Sequence, residues 1–209
     1  MVKITAPGNN SVHPGKSLIT YSISVSDRED GESTFDEIAD DKIFLEIEFV
    51  EGSPDTREGE KKENSTVEPA GLSHIKKSDC FTCHQFNTRS IGPAFTEMAT
   101  RYADDKNAKT LLATRIREGS QHIWGNAIMP AHADVPEAEA THIAAWILSA
   151  GANTNLNYIK GRTGAFRTTV PIGAREGYFV LKATYADSGL PGQPGKSLTG
   201  QDVVIIRSN

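Results

Sequence analysis

The stretch DCFTCHQF, residues 79–86, holds both cysteines of a 209-residue chain, Cys80 and Cys83, with His84 directly behind the second. A Cys-x-x-Cys pair admits three chemistries. Structural zinc takes four soft or borderline ligands, commonly from two such pairs or from a cysteine pair plus a spaced histidine pair. No second cysteine pair exists here, and His74 and His84 flank this one at irregular spacing. A redox dithiol belongs at a helix start that follows a strand, and the preceding GLSHIKKSD (71–79) does not read as a buried strand. Covalent haem attachment uses all three residues at once: each thiol adds to a vinyl group, and the adjacent histidine becomes the proximal iron ligand.

Such an iron needs a second axial ligand in a downstream loop. The methionines are Met1, Met98 and Met129. Met98 lies in PAFTEMATRYADD (93–105), a helical-looking run in which methionine fills core space. Met129 lies in GNAIMPAHADVP (125–136) between Gly125, Pro130 and Pro136. That is loop chemistry able to present a side chain to a cofactor edge. A neutral thioether opposite histidine suits low-spin electron transfer and raises the reduction potential.

GLSHIKKSDCFTCHQF (71–86), IGPAF (91–95), LLATRIREGSQHIWGNAIMP (111–130) and EAEATHIAAWILSAG (137–151) together resemble the small bacterial class I cytochromes c. The likeness includes the order of the motifs and the 45 residues from His84 to Met129. It implies one haem c held by thioethers to Cys80 and Cys83, with His84 and Met129 on the iron. It also implies that the Pro93 carbonyl accepts the second N–H of His84, the outer-shell bond that fixes a ligating ring, and that Arg115 and Trp124 approach a haem propionate. The family often has asparagine three residues after the axial methionine; here that position is His132, whose ring could donate the same bond. His13, in an N-terminal loop among Gly and Pro, His122 and His142 are read as solvated or structural.

The chain has 37% apolar residues, a mean hydropathy of −0.40 and no run of eighteen apolar residues, so the sequence offers no membrane span. No signal-peptide pattern opens at Met1, yet haem c is attached outside the bacterial cytoplasm. The start MVKITAP is therefore read as left by trimming, either of a signal or of a longer secreted chain, and the expected location is periplasmic or secreted. Residues 1–69 carry 16 acidic and 7 basic side chains, residues 70–151 carry 8 of each, and residues 152–209 carry 3 and 7. No basic stripe with interleaved aromatics results, which disfavours a nucleic-acid partner.

Outside residues 70–151 the apolar period changes from 3.6 to 2. Ile19, Tyr21, Ile23 and Val25 share one face, as do Ile43, Leu45, Ile47 and Phe49, and Phe179, Leu181, Ala183 and Tyr185. With VKIT at the start, a strand around Phe166 and the closing DVVIIR, about three strands fall on each side. The fold class expected is α + β multidomain: an all-α class I cytochrome c domain inserted into an all-β immunoglobulin-like sandwich. Residues 1–50 and 160–209 form the discontinuous sandwich, 51–69 an acidic linker, 70–151 the cytochrome c domain and 152–159 a second linker. In the last helix, Asp134 and Glu137 are expected to form a capping box and Gly151 a stop.

The combination also resembles, more loosely, the C-terminal part of large secreted proteins that join a quinone-dependent sugar dehydrogenase-like propeller to a cytochrome c. The expected function is one-electron transfer and not catalysis, from a periplasmic dehydrogenase to another cytochrome or an oxidase. Two readings stand beside it: a haem enzyme or sensor in which Met129 dissociates, and a carbohydrate- or protein-binding β-module, for which Tyr158, Phe166 and Tyr178 are the available aromatics.

Overall fold

The computed structural model describes residues 1–54, 68–187 and 199–208. Most of the expected 51–69 linker and the turn-rich SGLPGQPGKS (188–197) lie outside the described residues. The chain divides into two compact units, one of Met1–Ser65 and Asn155–Asn209, the other of Thr66–Thr154.

The first unit is built of strands. β1 (Val2–Ala6), β4 (Gly31–Glu32) and β7 (Thr163–Arg167) all pair antiparallel to the long β3 (Leu18–Asp27) in a four-stranded sheet. The other sheet runs β2 (Ser11–His13), β9 (Thr199–Ser208), β8 (Gly177–Ala186), β5 (Ile43–Glu51), β6 (Leu156–Lys160), antiparallel except for the β2–β9 pair. The period-2 residues explain the assembly, because a strand with one apolar face must bury it against another sheet. Ile19, Tyr21, Ile23 and Val25 of β3, Ile43, Leu45, Ile47 and Phe49 of β5, and Phe179, Leu181, Ala183 and Tyr185 of β8 join one buried cluster drawn from both sheets. At its centre the Phe49 and Phe179 rings, paired across β5 and β8, meet edge-on at 5.2 Å.

Three boundaries differ from the sequence reading. Residues 156–159, expected as linker, belong to β6, which pairs with β5 from Glu48↔Leu156 to Phe44↔Lys160. Its alternation is weak because Tyr158 is the single buried residue among five. His13 ends the short strand β2, not a loop, with Nε2 at 2.9 Å from Ser11 Oγ. Asp134 is two residues too early to cap the last helix: Pro136, in extended backbone, is the N-cap, and Gly151 is the last helical residue, with Ala152 after it.

Inside the β unit, Tyr21 donates its hydroxyl to the Gly161 carbonyl at 3.1 Å. Burial, helped by the Asp40 charge, pushes this phenol up to about 12 from an ordinary 10.0. The neutral form is the one the fold favours, so this stabilisation is complete below pH 10 and drains away as pH climbs toward about 12. Denaturant midpoints measured from pH 8 upward are expected to fall over that window, and Tyr21→Phe to flatten the fall while costing about 1 kcal/mol at neutral pH for the lost hydrogen bond. An equally steep alkaline limb in the variant would assign it to another group.

The second unit is helical: α1 (Ala70–Lys77), α2 (Cys80–Cys83), α3 (Phe95–Arg101), α4 (Ala108–Glu118) and α5 (Glu137–Gly151). α1, α3 and α4 each pack on α5, which buries Ala140, Ile143, Ala144, Trp146 and Ile147 at helical spacing. Phe95 is wrapped by aromatic edges, with Phe81, Phe86 and Trp146 at 5.5, 6.4 and 5.6 Å. No described helix is long and apolar enough to cross a membrane.

Candidate functional site

α1 stops at Ser78, whose Oγ lies 2.8 Å from the Ile75 carbonyl and 3.0 Å from Cys80 Sγ. The single turn of α2 then carries both cysteines, which are free thiols. Burial pushes the Cys80 thiol up, and the Ser78 contact opposes it. The preceding element is a helix and not a strand, which removes the redox-dithiol frame. His74 stacks 6.1 Å from His142 and pairs with Glu139 at 3.1 Å. Among the described residues no group of three or more His, Cys, Asp or Glu side chains could hold a metal ion, so the zinc reading has no ligand set.

The chain after α2 folds back over it. Ser90 Oγ and the Gly92 N–H both donate to the Cys83 carbonyl, at 2.7 and 2.8 Å. This brings the Pro93 carbonyl to 2.8 Å from His84 Nδ1. A carbonyl can only accept, so Nδ1 carries the proton and Nε2 is left with its lone pair. Burial lowers the His84 pKa and so favours the neutral ring, the form a metal binds. Phe95 stacks on the ring at 5.9 Å. Gly92 is required by this arrangement, since a Cβ there would stand 2.3 Å from His84 Cε1. Gly92→Ala is expected to destabilise the helical unit by about 1–3 kcal/mol, the usual cost of overpacking, seen as a lower thermal midpoint; an unchanged midpoint would mean that the ring has a second resting place.

Met129 arrives from the far end of the unit. Its backbone pairs with Ser120 in a two-bond antiparallel bridge, at 3.0 and 2.9 Å, which closes the intervening loop. Gly119, with φ of +78°, lets the chain leave α4 and turn into that bridge, and any Cβ there would meet the Met129 carbonyl at 2.7 Å.

Cys80, Cys83, His84, Pro93, Arg115, Trp124 and Met129 all line one cavity, with about 1040 Å³ of empty space counting its open mouth. Leu112, Ile116, Ile143 and Ile147 contribute apolar wall, while Ile91 and Ile128, 64% and 63% exposed, stand at the same cavity. The residues present fit a flat, largely apolar macrocycle: two free thiols, one oriented neutral imidazole and one thioether share an apolar space. Arg115 donates to the Tyr102 hydroxyl, and its guanidinium lies 5.5 Å from the Tyr102 ring. Trp124 stands 4.5 Å from the Arg101 guanidinium and 5.5 Å from that of Arg89. His132 lines the cavity with Nδ1 at 4.0 Å from Asp79 Oδ1. Met98 is buried in α3 and also borders the cavity.

Sequence reasoning passed over Gly92, Ser78, Gly119, Arg89 and Arg101. The Gly-Pro pair at 92–93 was a visible signal of close backbone approach; the arginines gave none, because their partners are 8 to 35 residues away.

Residues 70–151 match the family model described as cytochrome c. The chain is 43% identical over 74 residues to cytochrome c-552 of Nitrosomonas europaea, covering 35% of this chain and 72% of that protein. It is 39% identical over 74 residues to cytochrome c-552 of Hydrogenobacter thermophilus, covering 35% and 74%. Among solved structures, wild-type Nitrosomonas europaea cytochrome c552 is similar at 41% identity, covering 37% of this chain and 96% of that one, with a TM-score of 0.37.

Proposed function

Because this chain belongs to the cytochrome c family and therefore works in haem-based electron transfer with haem c bound through its cysteine pair, we propose a one-haem relay with His84 and Met129 as axial ligands. The haem supplies a single reversible electron between its ferric and ferrous states. The observation that carries the ligand assignment is the half-buried His84 ring, pinned through Nδ1 by the Pro93 carbonyl with Nε2 left to coordinate, in the cavity that Met129 also lines. The chain's own groups do the rest. Apolar walls exclude water, and the Ser120–Met129 bridge holds the thioether without a large ordering cost at the moment of bonding. With His84 and Met129 both holding the iron, no ligand position would remain for substrate, in keeping with a carrier and not an enzyme.

The location we propose is the periplasm or the cell exterior, where haem c is attached. The donor we propose is a periplasmic dehydrogenase, with another cytochrome or an oxidase as acceptor; the looser likeness to sugar dehydrogenase-like proteins favours a quinone-dependent donor. The β unit, two sheets around one core, is read as an immunoglobulin-like sandwich and a scaffold. Tyr158, Phe166 and Tyr178 are buried, so none presents a face on which a sugar could stack. Stopped-flow mixing of the oxidised holoprotein with substrate-reduced candidate dehydrogenases is expected to show haem reduction faster than by a small-molecule reductant at equal driving force. Rates no faster than that control for every candidate would remove the donor assignment.

A further inference from the structure

Two segments deliver the proposed axial ligands, His84–Pro93 and Ser120–Met129, and one exposed side chain ties them together. Arg89 reaches Glu97 with Nε at 3.2 Å from both carboxylate oxygens and Nη2 at 3.0 Å from Oε1. Its remaining Nη1 donates to the Trp124 carbonyl at 3.3 Å, and the guanidinium lies 5.5 Å from the Trp124 ring. Glu97 in turn accepts the Ala94 N–H at 2.8 Å, next to the Pro93 carbonyl that orients His84. Arg101, from α3, donates to the Ile123 carbonyl at 2.9 Å and approaches the same indole at 4.5 Å. The loop between Ser120 and Met129 is thus gripped at residues 123 and 124 by two arginines, and one of them is anchored on the proximal side. The Arg89 hydrogen bonds also hold the Glu97 carboxyl below the usual carboxylate range, so the pair stays ionised at neutral pH.

We propose that Arg89 is a positioning residue that locks the Ser120–Met129 loop onto the proximal segment and so sets how often the Met129 thioether leaves its bonding position. This rests on the assignment of Met129 as axial ligand. An exposed single-point ion pair contributes little, whereas a two-pronged guanidinium contact combined with a cation–π contact is the geometry in which a surface arginine matters. Lysine cannot replace it, having neither the fork nor the planar face.

The test uses the ferric holoprotein with Arg89→Gln, Arg89→Lys and Glu97→Gln, the last retaining an acceptor for the Ala94 N–H. Two quantities are read: the cyanide association rate, gated by departure of the thioether, and amide hydrogen exchange at Ser120 and Met129. All three variants are expected to keep the sulfur-to-iron charge-transfer band, to bind cyanide about five- to tenfold faster, and to exchange faster at those two amides, given the energies typical of such contacts. The α5 amides should not change, and Arg89→Gln/Glu97→Gln should be no faster than either single variant, because both remove one clamp. Unchanged cyanide rates and unchanged exchange overturn the proposal. So does acceleration spread evenly over the helical unit, which would make the pair a general stabiliser. Faster exchange at Ser120 and Met129 in a protein lacking the sulfur-to-iron band at wild type would instead sink the ligand assignment and the proposal with it.

Discussion

Met129→Ala is expected to yield a holoprotein that keeps its haem but loses its sixth ligand. Attachment depends on Cys80 and Cys83, in α2, whereas the thioether comes from a loop closed independently by the Ser120 bridge. The two functions are therefore separable by mutation. Axial ligation spans about 0.8 V of haem potential across proteins, and removing a soft neutral ligand from a His/Met pair lowers the potential; the expected fall is a few tenths of a volt. The charge-transfer band from sulfur to iron should vanish, and carbon monoxide and cyanide should bind rapidly where wild type resists them. The backbone hydrogen bonds of residues 120 and 129 do not involve the side chain, so the loop itself should persist. A variant with unchanged potential and an intact band would remove Met129 as the ligand.

The second large effect concerns the strands. Residues 1–65 expressed alone are expected to remain unfolded, while a chain in which a short Gly/Ser bridge replaces residues 66–154 is expected to fold. β5 lies in its sheet between β8 and β6, both encoded after the helical unit. Without them, Ile43, Leu45, Ile47 and Phe49, now at most 4% exposed, lose the flanking strands' part of their cover, and the core loses Phe179, Leu181, Ala183, Val204 and Ile206 outright. At about 1.5–3 kcal/mol for each large apolar side chain withdrawn from the core, the loss is comparable with the ~5–15 kcal/mol that stabilises a whole domain. The bridged chain retains all nine described strands and their shared core. Circular dichroism and cooperative urea unfolding distinguish the outcomes, and a cooperatively unfolding 1–65 fragment would contradict the discontinuous architecture.

What the sequence disclosed divides along physical lines. The Cys80–His84 motif is readable because covalent haem attachment, and the ligation proposed for His84, call for those residue types at that spacing. The strands β3, β5 and β8 are readable because two-residue alternation continues through each of them. β6 is not: its five residues have one buried position, and its stability comes from hydrogen bonding to β5, a partner far away in the chain. The cap on α5 is misread for a related reason. Asp134 and Glu137 have the spacing of a capping box, but Pro136 fixes the backbone locally and the helix begins after it. The Arg89–Glu97–Trp124 contacts belong to a third kind, since nothing short of the folded chain brings residues 89, 97 and 124 together.

The pairing of β5 with β6 has a kinetic side. Glu48 and Leu156 are register partners, yet roughly a hundred residues separate them along the chain. Zipping those strands in an otherwise unfolded polypeptide must close that whole loop. Relative to a loop of about twenty residues, the extra entropy amounts to about 1.4 kcal/mol, a factor of ten in the frequency of productive encounters. Helical contacts are mostly local and form fast. If the haem-bearing unit condenses first, it shortens the loop that the strands must close, and the order of events becomes helices before sheet. In that sequence the electron carrier acts as a folding template for the scaffold that it interrupts.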